Sequence, residues 1–237
     1  MEVSIEKHLS WLASETKTTR RLLEKVRDIW SGYLEHPFVR GIGDGTLDKG
    51  KFRFYLKQDY LYLIEYAKVF AIGIAKSDDA EIIRFLSDVI HQIFTSEMNI
   101  HRAYMQRFGV TDEEIADTTP SLDNRSYTSY MLRVAYEGGI AEILASILSC
   151  ALSYEYIAKA IVFEHPQAGA HPFYGEWVSG YASEAYQKNN QRLVECFEAV
   201  TGELSKKHFL RCEEIFVTCS LYEAAFWDMA WKRKTGC

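Results

Sequence analysis

Proline and glycine are scarce, 4 and 14 in 237 residues, so few positions interrupt a helix or force a turn. No segment alternates apolar and polar residues as a half-buried strand requires. The five cysteines (Cys150, Cys196, Cys212, Cys219, Cys237) are odd in number and form no CxxC pair. Neither a disulfide framework nor a zinc site is expected from them, and reduced thiols in the cytoplasm are the simplest reading. Basic residues are in deficit: the net charge is −6 and the sequence pI about 5.7. No broad positive face for a phosphate backbone is available, so no nucleic-acid partner is expected. The first residues have no basic stretch followed by an apolar run, so no signal peptide is expected. The longest charge-free apolar stretch, residues 143–154, is too short to span a bilayer, and no membrane partner is expected.

Aromatic residues, by contrast, are abundant: 14% of the chain, with 15 tyrosines, in a sequence that is 48% hydrophobic. A chain of this size and composition buries a substantial core unaided. Apolar residues at three-to-four spacing predict helices over 18–34, 48–76, 78–108, 126–137, 140–165, 171–200 and 204–234, with a short one opening at Thr111. Asp78 with Glu81, and Thr111 with Glu114, stand at capping-box spacing. Residues 36–47, with three glycines and a proline, read as a shaped turn, and residues 119–124 as a loop. His36-Pro37-Phe38 and His171-Pro172-Phe173 repeat a tripeptide, which hints at related halves or recurs by chance. The expectation is an all-α, single-domain bundle of about seven main helices (18–237), preceded by an N-terminal helical extension (1–17) whose Ile5, Leu9, Trp11 and Leu12 lie on the main body.

Polar atoms in greasy helices are the candidates for chemistry. Cys150 and Tyr154 lie one helical turn apart in an otherwise apolar segment, with Ser146 one turn earlier. This is either a small-molecule site or a cysteine packed beside a buried tyrosine. Asp59 shares a stripe with Tyr55, Tyr62 and Tyr66, and Glu223 shares a face with Phe226 and Trp227. Each carboxylate is either a site residue or a structural group with a partner, since an unpaired buried charge is costly. Metal ligation has little support. The chain has no Glu-x-x-His, the motif of di-iron bundles, and Glu97 with His101 at i, i+4 reads as an exposed ion pair. No GxSxG, GxGxxG or GK[ST] pattern is present either, so neither a serine triad nor a phosphate cradle is indicated.

Several blocks together carry a resemblance: HPFVRGIGDGTL with FRFYLKQDYLYL, then SYTSYMLRVAYEGGIAEILASILSCALSYEY, HPFYGEWVSGYAS and CSLYEAAFWDMAW. In order and spacing, over residues 35–232, they resemble the TenA/thiaminase II family, in its cysteine class. The resemblance implies a haem-oxygenase-like helical fold, a homotetramer and no cofactor or metal. It implies hydrolysis of 4-amino-5-aminomethyl-2-methylpyrimidine to the 5-hydroxymethyl compound and ammonia, with cleavage of thiamin as a related reaction. Cys150 falls at the family's nucleophile, Glu223 at the acid that exchanges a proton with the ring nitrogen, and Tyr62 at the tyrosine that activates the thiol. Asp59 falls at the carboxylate that binds the amino group and adjacent ring nitrogen. Tyr127, Tyr154 and Tyr181 fall at pocket tyrosines, and Phe226 at a stacking aromatic. The alternative is a non-catalytic pyrimidine- or thiamin-binding or regulatory protein on the same fold. A haem oxygenase is disfavoured by the filled aminopyrimidine positions.

Overall fold

The computed structural model describes residues 5–12 and 16–233, apart from the Glu6 side chain. Residues 1–4, 13–15 and 234–237 lie outside it, and with them Cys237, Lys234 and part of the expected extension. Among the described residues the regular structure is entirely helical, with no strand. The helices are α1 (Ile5–His8), α2 (Lys17–Glu35), α3 (Pro37–Gly43), α4 (Lys49–Lys76), α5 (Ala80–Gln92), α6 (Met98–Arg107), α7 (Asp112–Ala116), α8 (Leu122–Glu137), α9 (Ile140–Glu164), α10 (Gly175–Tyr181), α11 (Glu184–Thr201) and α12 (Lys206–Lys232). A π-helical turn, Ile93–Glu97, joins α5 to α6.

The chain forms two compact units. One comprises Met1–Leu47 and Leu144–Trp227; the other comprises Asp48–Ile143 and Asp228–Cys237. In the first, α2 packs against α1, α3 and α11. Its core is aromatic: Trp30 lies near Tyr33, Tyr156 and Phe216, and Phe38 near Trp227. Ile5, Leu9 and Leu12 are buried, because their spacing turns one apolar edge of the N-terminal segment inward. The helical part of that segment is a single turn, and its fixed contacts come from side chains. In the second unit α4 packs against α5, α6 and α8. Gly73 of α4 permits the close approach of Leu86 and Ile143, which a Cβ would meet at 3.1 and 3.3 Å.

Several boundaries differ from the sequence reading. Residues 37–43 form a helix rather than a turn. Pro37 supplies a preset φ at its first position, and the His36 ring accepts a hydrogen bond from Phe38 N–H at 3.2 Å. His171 makes the same bond with Phe173 N–H at 3.1 Å. The repeated tripeptide is therefore a local turn chemistry used twice. Helix α5 is capped by Asp79, which accepts from Glu81 and Ile82 N–H, and not by Asp78. Thr111 caps α7 through Glu114 N–H as its spacing predicts. Helix α8 begins at Leu122, earlier than expected, because Ser121 accepts from Asn124 N–H. The 171–200 region divides at Ala182–Ser183, where the Ser183 hydroxyl caps α11. Helix α9 extends beyond the charge-free stretch. It is long and apolar enough to cross a bilayer by length and composition alone, but 94% of its most apolar window is buried in the protein.

Candidate active site

The long helix α9 carries Cys150 and Tyr154. Cys150 keeps 9% of its surface open, whereas Cys212 and Cys219 keep none. Cys150 is thus buried but not sealed, while Cys196 is more open. Tyr154 is buried among rings, with centroids 4.8 Å from Tyr181, 5.3 Å from Trp227 and 5.8 Å from Trp177. Tyr181, at the end of α10, is half-buried. On α12, Glu223 and Phe226 are both buried.

Tyr33 of α2 lies within electrostatic range of Glu223 and Cys150. Its hydroxyl donates to the Ser220 carbonyl at 2.5 Å. Burial pushes this phenol well above its ordinary pKa; the charge of Glu223 adds to that, as do the Cys150 and Cys219 thiols, against the hydrogen bond to Ser220. Glu223 and Cys150 therefore both act electrostatically on one buried hydroxyl within a single unit. Burial likewise pushes the Cys219 thiol up, and Glu223 reinforces it. Ser149 and Ser220 meet at 3.0 Å, and Trp30 Nε1–H donates to Ser220 Oγ at 3.1 Å. These bonds tie α2, α9 and α12 together.

The second unit holds the other predicted residues. Asp59, Tyr62 and Tyr127 are all buried. The Tyr62 ring lies 5.3 Å from Tyr66 and 5.2 Å from Tyr127, forming a flat-walled aromatic group. The Tyr62 hydroxyl faces Met131 Sδ at 3.6 Å. Asp59 has two close partners: the Tyr55 hydroxyl donates to Oδ2 at 3.2 Å, and His101 Nε2 lies 2.6 Å from the same oxygen. Oδ1 has no hydrogen-bond partner among the described residues. The stripe on α4 was legible, and Tyr55 belonged to it. The role of His101 was not. Its expected exposed ion pair with Glu97 is corrected: the ring is buried and engages Asp59, while its Nδ1 meets the Glu97 backbone carbonyl at 2.8 Å.

No group of three or more His, Cys, Asp or Glu among the described residues is placed to hold a metal ion. A cavity of about 550 Å³ in the first unit, lined in part by Arg27, Asp28, Arg40, Asp44 and His165, contains none of the predicted residues. Its lining mixes both signs of charge and carries no cysteine.

One unit of this all-helical protein holds a thiol and a buried carboxyl that both act on one phenol, and the other holds a buried aspartate on the same helix as a group of stacked tyrosines. Residues 23–233 match the model of the TENA/THI-4/PQQC family, and the chain belongs to that family. It is 42% identical over 216 residues to a protein of Helicobacter pylori named aminopyrimidine aminohydrolase, covering 91% of this chain and 99% of the relative. An identically named protein of Halalkalibacterium halodurans is also 42% identical, covering 90% and 95%. Among solved structures, a TenA homologue from P. horikoshii superposes with a TM-score of 0.81 at 31% identity, covering 91% of this chain and 98% of that one. A Shewanella denitrificans domain with a haem-oxygenase-like fold superposes at 0.73 with 17% identity, covering 91% and 92%. The fold is therefore haem-oxygenase-like.

Proposed function

We propose that this protein is an aminopyrimidine aminohydrolase, releasing ammonia from 4-amino-5-aminomethyl-2-methylpyrimidine and leaving the 5-hydroxymethyl product. The observation that carries the reading is the 42% identity, over most of both chains, to two relatives named aminopyrimidine aminohydrolase. The presence of both Cys150 and Glu223 in one unit supports it, because binding alone needs no nucleophile. The names of the relatives support the substrate class.

The chemistry then follows from residue types. Direct displacement at the exocyclic methylene is slow while the ring stays aromatic. The Cys150 thiolate adds to the ring carbon next to the substituted one, and Glu223 supplies a proton to the ring nitrogen. Electrons released by that dearomatised ring expel ammonia from the methylene. Water adds to the exposed methylene and gives up a proton, the ring nitrogen returns its proton to Glu223, the thiolate leaves and aromaticity returns. Covalent catalysis divides one hard step into easier ones. Asp59 accepts the hydrogens of the exocyclic amino group, and this bond offsets the cost of its burial. Tyr62 supports the thiolate. Tyr127, Tyr154, Tyr181 and Phe226 give flat walls and hydroxyl tips to a planar heterocycle. Thiamin, with the thiazole as leaving group, is a second substrate by the same route, and the working assembly is a homotetramer. No cofactor or metal takes part in these steps.

Ammonia release from the aminopyrimidine, run beside thiamin cleavage with the wild-type protein, tests the reading. Turnover of the aminopyrimidine is the expected result. A folded protein that turns over neither compound contradicts it; binding without turnover then identifies a pyrimidine-binding protein.

A further inference from the structure

The helical span from Ala80 to Arg107 is not one α-helix. Between Ile93 and Glu97 it passes through a π-helical turn, in which Met98 N–H reaches back to the Ile93 carbonyl. The extra residue shifts every later side chain by about one position around the axis. An unbroken α register would carry the buried stripe Ile82, Leu86, Ile93 on to 97, 100 and 104. The buried positions that follow are Met98, His101, Tyr104 and Met105, of which only Tyr104 fits that register, while Ile100 is 42% exposed. The turn thus exchanges Ile100 for His101 at the core, and His101 meets Asp59. π turns of this kind concentrate at functional sites.

The hydrogen bonds fix the proton count. The Glu97 carbonyl only accepts, so His101 Nδ1 carries a hydrogen. Nε2 stands 2.6 Å from Asp59 Oδ2, a distance that requires a proton between them. The His101–Asp59 pair therefore holds one proton, and its net charge is zero. With Tyr55 also donating to Oδ2, that oxygen is pinned from two sides and Oδ1 is left as the acceptor for a ligand N–H.

We propose that His101 is a positioning residue for the aminopyrimidine reaction: it fixes the Asp59 carboxyl so that Oδ1 faces the substrate's amino group. The inference rests on the functional reading above. The titratable groups that act on His101 are Asp59 from α4 and Glu97 from the π turn, and Tyr55 of α4 bonds to Asp59. Burial alone would lower the His101 pKa, but the hydrogen bond and charge of Asp59 outweigh it and raise it, helped by the Glu97 carbonyl and carboxyl. The pair keeps its proton below that raised value. Above it, the Nε2 lone pair faces a carboxylate oxygen and the alignment is lost.

The test uses the full chain, with kcat and KM for 4-amino-5-aminomethyl-2-methylpyrimidine measured across pH. His101→Leu is expected to raise KM by about 10- to 100-fold, the loss of one charge-assisted alignment, with kcat changed by less than about threefold. His101→Gln supplies a neutral N–H that does not titrate. It is expected to restore KM to within a few-fold and to abolish the alkaline limb of the wild-type 1/KM profile. If His101→Leu does not fold, the flattened limb in His101→Gln decides. An active wild type whose KM and pH limb are untouched by His101→Gln, and by His101→Leu if it folds, overturns this inference alone, whatever happens to Tm. A wild type without turnover overturns the functional reading and this inference together.

Discussion

Glu155 has no exposed surface, and three donors hold its carboxyl. Trp11 Nε1–H donates at 2.7 Å, Asn190 Nδ2–H at 2.6 Å and Lys159 Nζ at 2.7 Å. A buried charge persists only with such partners. Trp11 precedes the main helices, so the N-terminal segment is bound to the core of its unit by this carboxylate, by Ile5 and Leu9 in the core, and by Arg20 donating to the Leu12 carbonyl at 2.7 Å. Trp11→Phe keeps a ring but removes one donor to a charged acceptor, costing about 1.5 kcal/mol. A fall in Tm of roughly 3–6 °C in thermal unfolding is expected; an unchanged Tm contradicts the anchoring role. The burial of Asp59 and Glu223 was legible in the sequence because each interrupts an aromatic stripe. Glu155 was not, because its partners are distant in sequence, as Trp11 and Asn190 illustrate. Tyr33 was hidden for the opposite reason: its spacing is that of an ordinary core position, and only the tertiary fold brings Glu223 and Cys150 within range.

The π turn is the element that sequence periodicity misread. A stripe followed at 3.6 residues per turn gives one inward face, and a single inserted residue cannot be seen in it. The same turn leaves a titratable signature. Burial raises the Glu97 carboxyl from 4.5 to about 7, against the lowering effect of His101 and with the raising effect of Asp59. A carboxyl with a raised pKa in the folded state binds its proton more tightly there than in the unfolded chain. Its stabilising contribution is complete below pH 4.5 and is lost as pH rises through about 7. His101 is also raised and acts with the same sign. Glu97→Gln preserves the backbone carbonyl that His101 needs and removes the titration. Denaturant unfolding should lose about 2 kcal/mol of wild-type stability across that window, discounted for the partial exposure of Glu97. The Gln variant should lose much less, and an equal pH dependence in both proteins excludes this role for Glu97.

At the scale of the whole molecule, the scarcity of proline and glycine and the absence of alternating segments were enough to establish an all-helical fold. The partition into two compact units was not legible, because each is assembled from separated parts of the chain, Met1–Leu47 with Leu144–Trp227 and Asp48–Ile143 with Asp228–Cys237. Helix α9 reads as a membrane candidate by composition and as a core helix by burial; the distinction lies in what surrounds it. The predicted residues divide between the units, with Cys150, Tyr154, Tyr181, Glu223 and Phe226 in one and Asp59, Tyr62 and Tyr127 in the other. The resemblance, rather than periodicity, assigns them to one reaction. The most direct measurement of that assignment is the rate of ammonia release from 4-amino-5-aminomethyl-2-methylpyrimidine by wild type and by Cys150→Ser, with Tm and pyrimidine binding as controls. If Cys150 is the nucleophile, the variant folds, binds the pyrimidine and turns it over roughly 10³-fold or more slowly. A variant that keeps its rate within a few-fold contradicts the account, because the reaction would then proceed without the thiol.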